Sequence, residues 1–240
     1  MRWLMSLLFT VQAYFMMFVW GIVFAPWAIF SPKGARMACK TWAAYAMWTA
    51  RLMVGIHTEV RGTPPTGEVL IAAKHQSFLD ILMIFNALPA AKFIMKRELM
   101  WTPIIGIYAY RLGCVPVARG KRGAAIAKMV ADVEAGRAAP GQLVIYSQGT
   151  RVAPGAYLPY KVGTAVLYQQ LGQPCVPVAT NAGLFWPRSG ILRHPGTAVV
   201  EFLPPLAPGV GKDEFMTQIE DVVEARSNAL MEEAGFHADR

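Results

Sequence analysis

The stretch "EVLIAAKHQSFLDILMIFNAL", residues 68–88, changes its hydrophobic period halfway along and thereby decides the class of fold. Its opening, "EVLIAA", is a short apolar run of strand length, whereas from Phe78 onward apolar residues recur at helical spacing. Strand, tight polar turn and helix in that order open an α/β unit. The turn, "KHQSFLD", carries His75 and Asp80. Ser77 suits a helix N-cap, and Asp80 stands three residues later, a capping-box pattern with Asp in place of Glu or Gln. Capping explains Ser77 and can explain Asp80, but it gives His75 no structural reason. On one continuous helix the two side chains would point about 140° apart. With a turn between them, the carboxylate can reach the imidazole, fix its tautomer and leave the second ring nitrogen to take a proton. Spacing alone leaves the capping and catalytic readings level.

Working outward, the same alternation continues. "VLIAA" (69–73), "KFIMK" (92–96), "CVPVA" (114–118), "QLVIY" (142–146), "PCVPVA" (174–179) and "TAVVEF" (197–202) are expected strands, each bounded by Gly, Pro or a charged residue. Helices are expected at 78–88, 104–112, 124–136, 163–172 and 213–235. The pattern predicts an α/β domain with a central sheet flanked by helices over 59–240, entered through the turn-rich linker "GTPPTGE". No internal repeat or low-complexity segment interrupts it.

Residues 1–58 are different. From 3 to 30 there is no charged residue, and Gln12 is the one strongly polar side chain. About 20 apolar residues span the hydrocarbon of a bilayer, so this run is long enough, with Pro26 expected to bend or end it. It exceeds a signal-peptide core of roughly 7–15 residues and no cleavage-like site follows, which predicts a retained anchor. In 37–56, Lys40 and Arg51 fall within roughly 20° of each other on a helical wheel, so this helix either lies along the membrane interface or packs against the main domain. Arg2 alone precedes the first run, while Lys33, Arg36, Lys40 and Arg51 follow it, a bias that places the main domain in the cytoplasm.

Composition agrees with a membrane-associated element. Hydrophobic residues make up 55% of the 240 and charged residues 16%, against about a quarter charged in ordinary soluble domains. The net charge of +8 suits a phosphate-bearing partner. Its cations are scattered and no nucleic-acid-binding motif is present, which disfavours nucleic acid. Cys39, Cys114 and Cys175 lack CxxC spacing and fit reduced core thiols, Cys114 included. The four histidines have no metal-ligand spacing. "VGKDE" at 210–214 lacks the rest of a P-loop and reads as a turn before the last helix.

Two further turns bear on His75. Arg119 ends "LGCVPVARG" (112–120), with Lys121 and Arg122 close behind. "YSQGTR" (146–151) ends another strand with Gly149 for backbone freedom, Thr150 as a donor and Arg151 as a fork-shaped cation. Cations at two strand ends can converge on one phosphate, although either alone reads equally as a solvated loop residue. "LFWPRSG" (184–190) is open between a bilayer or acyl-pocket contact and a surface loop with a buried aromatic.

With these residues in order, the chain resembles the glycerolipid acyltransferases: His75 and Asp80 match their HxxxxD motif, and "VPVARG", "QGTR" and "VPVA" (176–179) follow in the family's sequence. The resemblance runs from about 68 to 205. It departs at Lys74, where Asn is usual, and at Ser147 and Gln148, where Pro and Glu are usual; Gln148 cannot act as a general base.

The resemblance implies a mixed central sheet and a lysophosphatidate acyltransferase: transfer of a fatty acyl group from acyl-CoA or acyl carrier protein to the sn-2 hydroxyl of 1-acyl-glycerol-3-phosphate, at the inner membrane of a bacterium, in phospholipid biosynthesis. It implies His75 and Asp80 as catalytic residues, and Arg119, Lys121, Gln148, Gly149, Thr150 and Arg151 as substrate-binding residues. No cofactor or metal is called for. Another lyso-lipid, such as a lyso-amino-acid lipid, is the alternative acceptor that Gln148 suggests. A non-catalytic lipid-binding membrane protein is the rival from another class.

Overall fold

Among the described residues, six of the seven strands arise where short apolar runs lie between turn residues: β2 (Leu70–Ala73), β3 (Lys92–Lys96), β4 (Val115–Val117), β5 (Leu143–Tyr146), β6 (Cys175–Thr180) and β7 (Gly196–Phe202). The seventh, β1 (Ile56–Arg61), reads "IHTEVR" and buries only Ile56 well, so no apolar pattern announces it. It is an edge strand held by its ladder to β7, and the expected boundary at 58/59 falls inside it. The computed structural model describes residues 1–117, 127 and 140–237. The expected helix at 124–136 lies outside the described residues, except for Ala127.

The strands form one sheet in the order β1-β7-β6-β2-β5-β3-β4. Every neighbouring pair is parallel except β6 with β7. Parallel pairing explains the continuous burial of β2 and β6, since a sheet covered on both faces needs apolar side chains on both. Alternation then sorts each strand into two cores. Ile71, Ala73, Val144 and Val178 face one core with residues of the N-terminal helices and α4 (Leu79–Ala87). Leu70, Ala72, Leu143, Ile145 and Cys175 face the other with Leu167, Tyr168, Phe215 and Ile219, which come from helix Gly163–Leu171 and the C-terminal helix Lys212–Glu233.

The apolar start forms α1 (Arg2–Val23) and α2 (Ala25–Phe30), with the interruption at Phe24. Pro26 sits in the first turn of α2, where its missing N–H breaks no helical hydrogen bond. α3 (Pro32–Val54) closes on Gly55, whose φ of 72° is left-handed and favours glycine. α3 packs between α1 and the main domain, deciding for the packed reading of residues 37–56. A stripe of Ala35, Ala38, Ala43, Ala46 and Ala50 gives close approach. Arg36 donates to the carbonyl of Pro89, just past the end of α4, and Lys40 to that of Asn86 in its last turn. Gln12 is satisfied by Thr49 and Tyr45 of α3. The opposite face of α1 leaves Leu4, Leu8, Val11, Phe15, Phe18 and Ile22 exposed at helical spacing. α1 is long and apolar enough to cross a membrane.

Candidate active site

Parallel pairing of β2 with β5 sets Ala73 opposite Tyr146, so the turn after β2 and the turn after β5 emerge side by side. Val152 N–H donates to the His75 carbonyl at 2.8 Å, tying the turns together. Loops at the carboxyl ends of adjacent parallel strands are where α/β folds assemble sites.

The turn brings the His75 and Asp80 side chains within reach of each other. His75 Nδ1 lies 2.8 Å from Asp80 Oδ1. Asp80 Oδ2 accepts the N–H groups of Gln76 and Ser77 at 2.8 and 2.7 Å. One carboxylate oxygen therefore holds the turn as a capping residue would, and the other holds the imidazole. The helix begins at Leu79 with Phe78 at its N-cap, one residue later than expected; Ser77 Oγ accepts Leu79 N–H and donates to the Trp186 carbonyl at 2.6 Å, which pins the loop after β6. Asp80 is fully buried, whereas the His75 side chain keeps 12% of its surface exposed, so the carboxylate is the fixed partner and the ring faces the cleft. Asp80 accepts from Nδ1–H in this arrangement, which leaves Nε2 for a proton.

Sequence reasoning missed Tyr146. Its ring stacks on His75 with centroids 3.9 Å apart and on Phe93 at 6.1 Å. Burial, and then the Asp80 charge, push its phenol well above the ordinary tyrosine range. A ring in that place fixes the imidazole plane. Its position as the last residue of β5 is the one signal in the sequence.

The cleft that His75 lines has a volume of about 670 Å³. One end is built from Gly149, Thr150 and Arg151, with Gly149 at φ 70° bonding back to Tyr146 in the turn the sequence predicted. The rest is apolar and runs between α1, α3 and α5 (Ile105–Arg111), past Trp42, Phe85, Ile104 and Tyr108. Its charged lining residues, among those described, are Lys96, Arg151 and Arg188 beside His75; none is acidic. Arg188, in the stretch left open to a pocket contact but not named as a site residue, lines the cleft. Its guanidinium donates to the Arg151 carbonyl at 3.0 Å, so the two cations stand together. Trp186 is buried edge-on against Phe9 and Phe78, with Arg193 over its ring, which is the buried-aromatic reading of that loop. Cys114 lines the cleft, but desolvation pushes its thiol up, as for a packing residue rather than a nucleophile.

Not every expected site residue joins this group. Gln148 is buried behind it, donating to the Leu158 carbonyl at 2.9 Å, and does not line the cleft. Arg119 and Lys121 lie outside the described residues. The other departure, Lys74, is buried and paired with Glu224 of the C-terminal helix at 2.6 Å.

A family model described as Acyltransferase matches residues 57–181. The chain is 28% identical over 200 residues to a 1-acyl-sn-glycerol-3-phosphate acyltransferase of Pseudomonas aeruginosa, covering 81% of this chain and 77% of that protein. It is 30% identical over 164 residues to the mouse 1-acyl-sn-glycerol-3-phosphate acyltransferase alpha, 66% of this chain but 58% of the mouse protein. The crystal structure of the 1-acyl-sn-glycerophosphate acyltransferase PlsC from Thermotoga maritima superposes over 100% of both chains with a TM-score of 0.78 at 21% identity, which is a likeness of fold. A buried carboxylate steering an imidazole into a cationic and apolar cleft is the equipment such chemistry needs, and the chain belongs to the acyltransferase family as an acyltransferase enzyme.

Proposed function

We propose that the chain transfers a fatty acyl group from an acyl thioester, acyl-CoA or acyl carrier protein, to the sn-2 hydroxyl of 1-acyl-glycerol-3-phosphate, giving phosphatidic acid. The observation that carries this reading is the cleft itself: one dyad, two adjacent arginines, no carboxylate among the described lining residues, and an apolar extension. His75 Nε2 takes the hydroxyl proton as the oxygen attacks the thioester carbonyl. The tetrahedral adduct collapses with cleavage of the C–S bond, and the imidazolium returns the proton to the departing sulfur. Asp80 holds the ring and stabilises its charge in between. Arg151 and Arg188, with Gly149 and Thr150, take the acceptor's phosphate, and acyl carbon fills the apolar end. The relatives' names support this acceptor. Gln148 faces away from the cleft, so its departure gives no ground for preferring a different lyso-lipid.

The exposed apolar stripe of α1 seats in a bilayer, with the α/β domain on the cytoplasmic side of a bacterial inner membrane. Purified protein given either donor and a panel of lyso-lipids tests the reaction. Thiol release with lysophosphatidate above the other acceptors is expected; release with a different lyso-lipid alone would replace the acceptor, and no release with any would overturn the reading. Retention in the membrane pellet after an alkaline wash tests the anchor, and release into the supernatant would refute it.

A further inference from the structure

Lys74 and His75 are consecutive, yet they serve opposite faces of the sheet. His75 opens into the cleft, while the Lys74 side chain, 2% exposed, turns toward the C-terminal helix. There its ammonium meets both oxygens of Glu224 at 2.6 and 2.7 Å. A buried ammonium needs such a partner, because desolvation otherwise disfavours its charge. The same carboxylate lies 3.5 Å from the side-chain amide nitrogen of Gln148. Lys74 immediately precedes the base, and Gln148 immediately precedes the turn Gly149, Thr150 and Arg151. One carboxylate thus stands behind both halves of the site.

The helix that carries it is fitted for the task. Glu224, Ser227 and Met231 share one helical face, and each meets the sheet's carboxyl end: Glu224 through Lys74, Ser227 through Thr180 N–H, and Met231 through the Gln76 amide at 3.5 Å. The two sequence departures, a lysine at 74 and an uncharged residue at 148, meet at this point. A second carboxylate at 148 would crowd Glu224 over a single ammonium. Taking that charge away and supplying it from the C-terminal helix leaves the group paired.

We propose that Glu224 is a positioning residue for acyl transfer. Its carboxylate, held on Lys74 and beside Gln148, fixes the distance between His75 and the Gly149–Arg151 turn. The proposal rests on the roles given above to those two elements.

The test moves the carboxylate. In Glu224→Gln, kcat falls on the order of 10–100-fold, as expected when reacting groups are displaced by about an ångström, while KM for the acyl donor stays within about twofold. In Gln148→Glu/Glu224→Gln the charge returns from the other side of Lys74, and kcat rises about tenfold over the single variant, a coupling that independent sites would not show. If Glu224→Gln does not fold, Glu224→Asp, which keeps the charge but withdraws it by one methylene, is read as a single variant: a fall in kcat with displaced His75 resonances is expected, and wild-type kcat with unmoved resonances overturns the proposal. A lowered melting temperature with wild-type kcat at 25 °C, or a double variant no better than the single, overturns the proposal. Variants are read as ratios to wild type on whichever lyso-lipid turns over, so failure of the lysophosphatidate reading leaves the comparison intact. The His75 ring resonances give a readout without turnover: displacement in Glu224→Gln and return in the double variant are expected, and unmoved resonances in Glu224→Gln overturn it.

Discussion

Two cavities of nearly equal volume, about 670 and 620 Å³, flank the end of β2, and they carry opposite charge. His75 lines the first, with Lys96, Arg151 and Arg188. The second is lined by Glu220, Asp221, Glu224 and Glu232 of the C-terminal helix, with His237 nearby. Both are formed by ordinary loops and helices around one sheet. The chain's net charge of +8 is therefore a poor guide to where an anion goes, since four carboxylates line one cavity while no acidic residue, among those described, lines the other. An anionic acceptor is drawn to the side that holds the imidazole and repelled by the other.

The largest break in that comparison comes from the dyad. His75→Ala removes the proton acceptor proposed above and is expected to lower kcat by about 10²–10⁴-fold. Asp80→Asn keeps an acceptor oxygen for the Gln76 and Ser77 N–H groups but surrenders the charge facing His75. Its loss in kcat should approach that of His75→Ala with a smaller loss of thermal stability. Steady-state thiol release and a thermal melt, run together, check both; an active His75→Ala would remove the cleft from the chemistry.

A milder break tests the cations. Charge-assisted bonds to phosphate contribute about 1.5–3 kcal/mol, so Arg188→Ala or Arg151→Ala should raise KM for lysophosphatidate by about 10–100-fold. KM for the donor and the rate with an uncharged monoacylglycerol acceptor should hold. Equal losses on charged and uncharged acceptors would mean the arginines build the loop and do not read the headgroup. On the opposite side, Asp221→Asn should change KM for lysophosphatidate by less than about twofold, because its charge faces the other cavity. Cys114→Ala in the cleft wall should also leave the reaction order and pH profile as they are, since its thiol takes no part.

Much of this was legible before any coordinates. Period changes located six strands, and parallel pairing then brought residue 75 to residues 149–151, as the ordered motifs required. β1 was hidden because an edge strand can be held by its backbone ladder while its side chains stay polar. For Arg188 the sequence left pocket and surface readings open, because the loop after β6 must fold back over the site before an arginine there becomes a lining one. The pairing of Lys74 with Glu224 joins residues 150 positions apart, so the departure at Lys74 was visible in the sequence but its partner was not. Tyr146 was hidden differently: as the last residue of an apolar strand it reads as packing, and only the register with β2 stacks it on the imidazole.

The smallest predicted effect comes from that tyrosine and separates its ring from its hydroxyl. Folding raises the Tyr146 phenol above its ordinary range, so at high pH the unfolded chain gives up this proton first. The sign follows: the contribution to stability is whole below about pH 10, where both states are protonated, and declines as pH climbs beyond it, by up to about 1.4 kcal/mol per pH unit for one group. Tyr146→Phe keeps the stack on His75 and removes the proton. Chemical denaturation at pH 8 and at pH 11 should therefore show a smaller alkaline loss of stability in Tyr146→Phe than in wild type, with kcat at neutral pH within about threefold. Parallel losses would mean that the phenol ionises as readily in the folded protein as outside it, and that the Asp80 charge is screened from the ring it was inferred to face.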